Sequence, residues 1–158
     1  MDLHIGQPAP FFEAPDQDGK TRTLSEFQGS WLLLYFYPKD DTPGCTKEAC
    51  GLRDHYAPLK AQGLQIIGVS IDSASSHRKF ADKYHLPFTL LSDVDHTIVT
   101  AYGAWQEKSM YGKTYMGTVR MSFLIDPSGV IRQIYPKVKP EEHAEEILHD
   151  LHTLLAKS

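Results

Sequence analysis

Cysteine is scarce in this chain: 158 residues contain two. That excludes a disulfide-stapled scaffold and a four-cysteine zinc site, both of which need more sulfur. Positive charge is not in excess either. Sixteen Lys and Arg against 20 Asp and Glu give a net charge of −4, which argues against nucleic acid as the main partner, since such proteins present a basic face. No apolar run approaches the ~20 residues of a membrane-spanning helix, so no membrane partner is expected. The start, Met1-Asp2-Leu3-His4-Ile5-Gly6, has neither a basic nor an apolar stretch, and a secretion signal is not expected. Repeats, low-complexity tracts and linkers are missing too. What is present is 41% hydrophobic and 23% charged residues, the mix of a globular protein. The length suits one domain over residues 1–158 with a sizeable core. Two cysteines without an export signal point to a reducing cytoplasm, where a disulfide is transient and catalytic rather than structural.

Both cysteines lie in one stretch, Tyr37-Pro38-Lys39-Asp40-Asp41-Thr42-Pro43-Gly44-Cys45-Thr46-Lys47-Glu48-Ala49-Cys50. Ahead of it, residues 31–37 form an apolar segment of strand length, ended by Pro38, which has no N–H for a ladder. Asp40, Asp41 and Thr42 are turn or N-cap types, and Pro43 suits a first helical turn. Cys45 therefore falls in the first turn of a helix, among unpaired N–H groups at the positive end of the dipole. Such a position favours a thiolate. The Thr42 hydroxyl, three residues upstream, is placed to bond the sulfur or its substrate. Cys50 is five residues on, where helical geometry puts the Cα atoms roughly 8–9 Å apart. A disulfide is unreachable beyond ~7 Å. If the two pair, the first helical turns must unwind. The competing reading is an inert buried pair, because free cysteine packs as a small hydrophobe. The polar turn and helix-start position argue against it.

Along the rest of the chain, residues 1–10 read as an extended lead-in. Asp16-Gln17-Asp18-Gly19 is a turn between short extended pieces, a hairpin. A helical turn follows at 24–27. Pro58 predicts a kink or a new helical segment, ended by Gly63. Residues 64–71 read as a buried strand, Ser73 to Ser76 cap a helix running to about Tyr84, and a short strand lies near 89–91. Asp95 is the expected cap of a helix ending at Gly103. Residues 104–117 show no period and are expected to be a long loop, a type often functional. Its aromatic residues are either an apolar wall beside the site or core. Residues 122–126 and 130–135 flank Pro127-Ser128-Gly129 as a second hairpin. Pro140 opens a final amphipathic helix. This order implies an α/β fold with a central mixed sheet flanked by helices. The eight histidines are scattered, and His149 and His152 read as surface residues with no metal role.

The run Pro38-x3-Thr42-x2-Cys45, with Glu48 three residues on, resembles the active-site signature of the peroxiredoxins. The wording from Tyr35 to Cys50 is similar to the bacterioferritin-comigratory-protein or peroxiredoxin Q branch. The likeness extends to Gly6-x2-Ala9-Pro10-x-Phe12, to Trp105–Lys113, to Gly117-Thr118-Val119-Arg120 and to Phe123–Asp126. The resemblance implies a thioredoxin-like fold with an N-terminal β-hairpin extension and a thiol peroxidase that needs no cofactor. It implies that Cys45 attacks hydroperoxides, hydrogen peroxide and organic ones alike, giving a sulfenic acid. Cys50 would resolve this to a Cys45–Cys50 disulfide, and thioredoxin or a similar dithiol reductant would restore the thiols. Thr42, Gly44, Cys45 and Arg120 would bind substrate. Pro38 would shield the sulfenic acid. Arg120 would be the required cation, chosen over Arg22, Arg53, Arg78 and Arg132 by the resemblance alone. Glu48 would orient it. Branch members are mostly monomers. One departure stands out: Met121-Ser122 follows Arg120 where the branch usually has Ser-Thr, and an inward Met121 would alter the packing behind the arginine.

Two other classes compete. A thiol–disulfide oxidoreductase usually carries Cys-x2-Cys, whereas the spacing here is Cys-x4-Cys. A copper-handling, non-enzymatic thioredoxin-like module needs a histidine beside soft sulfur ligands, and no histidine sits in an evident motif.

Overall fold

A computed structural model describes residues 3–157. Five strands make the central sheet: β3 (Trp31–Phe36), β4 (Leu64–Ser70), β5 (Thr89–Ser92), β8 (Met121–Ile125) and β9 (Ile131–Tyr135). Their order is β5-β4-β3-β8-β9. β3 pairs parallel with β4 and antiparallel with β8. The sheet is mixed for this reason: β4 and β5 return through helical crossovers, β9 through a hairpin.

β3 is buried at every position, as a central strand covered on both faces must be. Its alternation divides the core. Leu33 and Tyr35 face a cluster with α1 (Pro43–Asp54), α3 (Ala74–Tyr84) and α5 (His143–Ala156). Leu32, Leu34 and Phe36 face a second cluster with Phe12, α4 (Thr97–Ala101) and Phe123. The predicted N-terminal hairpin is β1 (Glu13–Pro15) against β2 (Thr21–Thr23), and a 3-10 turn follows at Leu24–Phe27. Of the expected lead-in, residues 1 and 2 lie outside the described residues. Residues 6–9 run beside the last hairpin, with the Gly6 and Ala9 N–H groups donating to Ile131 and Gly129 carbonyls.

Several sequence expectations need correction. Residues 104–117 are not a loop. They form a two-stranded ribbon, β6 (Trp105–Met110) against β7 (Lys113–Thr118), closed by Tyr111 and Gly112. Both turn residues have positive φ, 52° and 77°, which is the condition for a tight hairpin turn. The ribbon escaped detection because both its faces are largely exposed, so no apolar alternation marks it. Its aromatics are divided: Trp105 stacks on His96 at 4.2 Å between centroids, while Tyr111 is 97% exposed. The α4 helix is capped mainly by Asp93 rather than Asp95. Asp93 oxygens accept from the Ile98 and Val99 N–H groups at 3.0 and 2.8 Å, Asp95 only from Thr97 at 3.2 Å. The break before Pro58 falls at His55, and α2 (Tyr56–Ala61) takes Pro58 in its first turn, where a missing N–H costs nothing. The last helix begins at His143, three residues after Pro140. His149 and His152 are exposed as expected.

Candidate active site

After β3 the chain stays beside β4 for one more residue. The Tyr37 N–H still bonds the Val69 carbonyl at 3.1 Å, and Pro38 then ends the ladder. Asp40 is more than a turn residue. It is 8% exposed, accepts from Tyr37 Oη at 2.6 Å and Ser76 Oγ at 2.8 Å, and its Oδ2 meets His77 Nδ1 at 2.7 Å. Asp41 has φ +57°, a left-handed geometry that Asp tolerates better than most residues. Thr42 has the extended backbone of an N-cap, but its hydroxyl caps nothing and does not reach the sulfur. It donates to the Lys39 carbonyl at 2.8 Å, which leaves its oxygen as an acceptor only. Pro43 opens α1. The first rung is Thr46 N–H to Thr42 C=O at 2.8 Å, so the Gly44 and Cys45 N–H groups precede the ladder.

Cys45 is 2% exposed. Its Sγ accepts from Arg120 Nη2 at 3.4 Å, and Arg120 Nη1 donates to Glu48 Oε1 at 2.8 Å. One guanidinium thus bridges sulfur and carboxylate. Gly44 makes room for it: a Cβ there would lie 2.9 Å from Arg120 Nη2. Burial works against the Arg120 charge, but Cys45 and Glu48 outweigh it and hold the group above its ordinary pKa. The other four arginines are engaged elsewhere: Arg22 with Asp16 and Glu26, Arg53 with Asp54, Arg78 with Asp18 and Asp82, Arg132 with Asp126. Sheet register explains the choice. β8 lies antiparallel beside β3, Tyr35 opposite Ser122 and Phe36 opposite Met121, so the residue before β8 arrives where the residues after β3 leave. Met121 belongs to the opposite core cluster, and the departure at that position packs across the sheet from the sulfur.

Glu48 is 1% exposed and its Oε2 has no hydrogen-bond partner. Burial pushes its carboxyl pKa up to about 7, against the pull of Arg120. Three neighbours escaped the sequence reading. Tyr35 Oη is buried without a partner, and its pKa is raised well above 10 by burial, then by Glu48 and Cys45. His143 Nε2 meets Ser122 Oγ at 2.8 Å and Nδ1 meets Glu146 Oε1 at 2.9 Å. Lys108, on β6, is half-buried. Burial and the Arg120 charge lower its pKa, and Cys45 opposes them. Tyr35 and Lys108 fall within stretches that carry the resemblance, but no local pattern marks any of the three as a neighbour of the sulfur. Cys50 is half-buried, a free thiol in the same helix as the free thiol of Cys45.

Among the described residues, one set of ligand-type side chains converges: Asp40, Asp72 and His77, with atoms within 4.8 Å of one another. Neither cysteine belongs to it. Its atoms are already engaged, since Asp72 Oδ2 accepts from the Asp40 N–H and Ser70 Oγ, and His77 Nε2 contacts the Leu91 carbonyl at 2.8 Å. The set is a hydrogen-bond network rather than an open ligand cage.

Comparison with known proteins identifies the family. The sequence profile of the AhpC/TSA family matches residues 5–134. The chain is 48% identical to a putative peroxiredoxin bcp of Coxiella burnetii over 94% of its own length and 98% of that protein's. It is 44% identical to peroxiredoxin Bcp of Bacillus subtilis, over 99% and 100%. Among solved structures, Xanthomonas campestris peroxiredoxin Q gives a TM-score of 0.86 at 39% identity, covering 90% of each chain. A cysteine-to-serine mutant of Xylella fastidiosa PrxQ gives 0.93 at 33%, covering 98% and 99%. With a thioredoxin-type sheet, a cysteine at the start of α1 and a guanidinium on its sulfur, the chain belongs to the AhpC/TSA family, in the peroxiredoxin branch of Bcp and peroxiredoxin Q proteins, and is a thiol peroxidase.

Proposed function

We propose that this peroxidase reduces hydrogen peroxide and organic hydroperoxides at Cys45, with Cys50 as resolving thiol and a thioredoxin-type dithiol protein as reductant. The observation that carries the assignment is the Arg120 guanidinium 3.4 Å from Cys45 Sγ, held by Glu48. The Cys45 thiolate attacks the terminal peroxide oxygen. The S–O bond forms as the O–O bond breaks, sulfur is oxidised to sulfenic acid, and the leaving oxygen takes a proton to become water or an alcohol. Arg120 and the Gly44 and Cys45 N–H groups stabilise the charge that moves onto those oxygens. Thr42, whose own proton is given to Lys39, accepts the peroxide O–H. Pro38 covers the site against bulk water. Cys50 then displaces water from the sulfenic acid, which requires the first turns of α1 to unwind because five helical residues hold the sulfurs apart. Exchange with the reductant returns both thiols.

A relative at 38% identity, the Xanthomonas campestris bacterioferritin comigratory protein, has been described with alkyl peroxide reduction activity, which supports an organic substrate class. The protein is proposed to act as a monomer in a reducing compartment; no helix among the described residues is long and apolar enough to cross a membrane. Stopped-flow peroxide consumption is the test. Cys45→Ser should abolish turnover. Cys50→Ser should consume one equivalent per chain and then stall with thioredoxin. Full turnover by Cys45→Ser ends the assignment.

A further inference from the structure

The segment that must unwind is fixed at both ends to a single helix. On the N-terminal side, Asp40 is bound by His77 and Ser76 of α3, and Asp41 by Lys83 Nζ at 2.8 Å and Tyr84 Oη at 2.7 Å. On the C-terminal side, Arg53 Nη1 donates to the Tyr84 carbonyl at 2.8 Å. Both cysteines lie between these pins. The inner pin is the stronger one. His77 is 0% exposed. Its Nε2 faces the Leu91 carbonyl, which can only accept, so Nε2 carries a proton; Nδ1 and Asp40 Oδ2, 2.7 Å apart, share another. A hydrogen bond shielded from water in this way is electrostatically stronger than an exposed one. The outer pair with Lys83 is exposed and contributes little.

Resting on the peroxidase reading above, we propose that Asp40 and His77 are positioning residues that set how the Cys45 sulfenic acid divides between two fates. In one, the segment unwinds and Cys50 forms the disulfide, releasing water. In the other, the segment stays helical and a second hydroperoxide oxidises the sulfenic acid to sulfinic acid, releasing water or an alcohol. A chain pinned at both ends has fewer unwound conformations than one pinned at one end, as with any closed loop. The pins therefore favour the helical state even where they survive unwinding.

The test is mass spectrometry after graded pulses of hydrogen peroxide without reductant, scoring disulfide against sulfinic acid. His77→Gln and Asp40→Asn should raise the peroxide concentration at which half the chains become sulfinic, by about tenfold, the scale of one buried hydrogen bond. Arg53→Ala, at the other pin and largely outside the core, should shift it the same way and serves if the buried variants do not fold. A loss of global stability alone, read by thermal unfolding, would not move this ratio. An unchanged or lower half-point in folded variants, with wild type still forming its disulfide, overturns the proposal while leaving the peroxidase intact. Wild type that consumes peroxide without joining its cysteines overturns the resolving role of Cys50, and this inference with it.

Discussion

At the scale of single residues, the site depends on space as much as on charge. Gly44 is there because Arg120 crosses its Cα, and an added methyl would meet Nη2 at 2.9 Å. Gly44→Ala should fold, since only a side-chain end must move. The guanidinium would leave the sulfur, and the first peroxide step should slow roughly 10²-fold, the usual cost of losing one charge-stabilising donor; single-turnover stopped-flow measures it. Glu48 offers a pH test. Its folded pKa is about 7 against an ordinary 4.5, burial being the cause. A raised folded pKa means the folded state binds the proton more tightly. The stability this gives is complete below pH 4.5 and lost as pH rises through about 7. Glu48→Gln lacks this titration. Relative to wild type, it should gain up to about 3 kcal/mol between pH 4.5 and 8, measured by urea unfolding across that range.

Elements here are held by side chains that reach across loops. α4 has five residues, too few to persist alone, and starts at His96 with a left-handed backbone and no side-chain cap bond. Asp93 substitutes for the cap from the loop before the helix, accepting from the N–H groups five and six residues on. Asp93→Ala should cost about 1–2 kcal/mol and raise amide exchange in α4 before the sheet exchanges, which hydrogen-exchange mass spectrometry resolves. α1 shows the same principle with a functional result. Its start is shaped by Pro43 and Thr42, but its position is fixed by the bonds of Asp40 and Asp41 to side chains of α3.

At the scale of the molecule, β3 connects both cores to the site. Leu34 is 0% exposed in the second cluster, on the face away from Cys45. Leu34→Ala should cost about 2–5 kcal/mol through lost burial and the cavity left behind. The reaction of the folded fraction with peroxide should stay near normal. Denaturant unfolding and stopped-flow together separate the two. The β6–β7 ribbon belongs to this scale as well. Lys108 on β6 lies within electrostatic reach of Arg120 and Cys45, and Tyr111 at the tip is exposed.

The strand, the polar turn and the helix carrying both cysteines were legible from residues 31–54 alone, because each depends on neighbours in the chain: Pro38 stops a ladder, Pro43 starts a helix, and apolar runs bury themselves. The two hairpins with Gly19 and Gly129 were legible for the same reason. Which of five arginines meets the sulfur was not legible locally, only through the family resemblance, since Arg120 and Cys45 are 75 residues apart and the antiparallel register of β3 and β8 joins them. Nor was the role of Asp40, whose partners on α3 lie 36 and 37 residues away. Local chemistry determined where the thiol stands. Long-range pairing, which no short window of sequence encodes, decided what charge faces it and how firmly its loop is held.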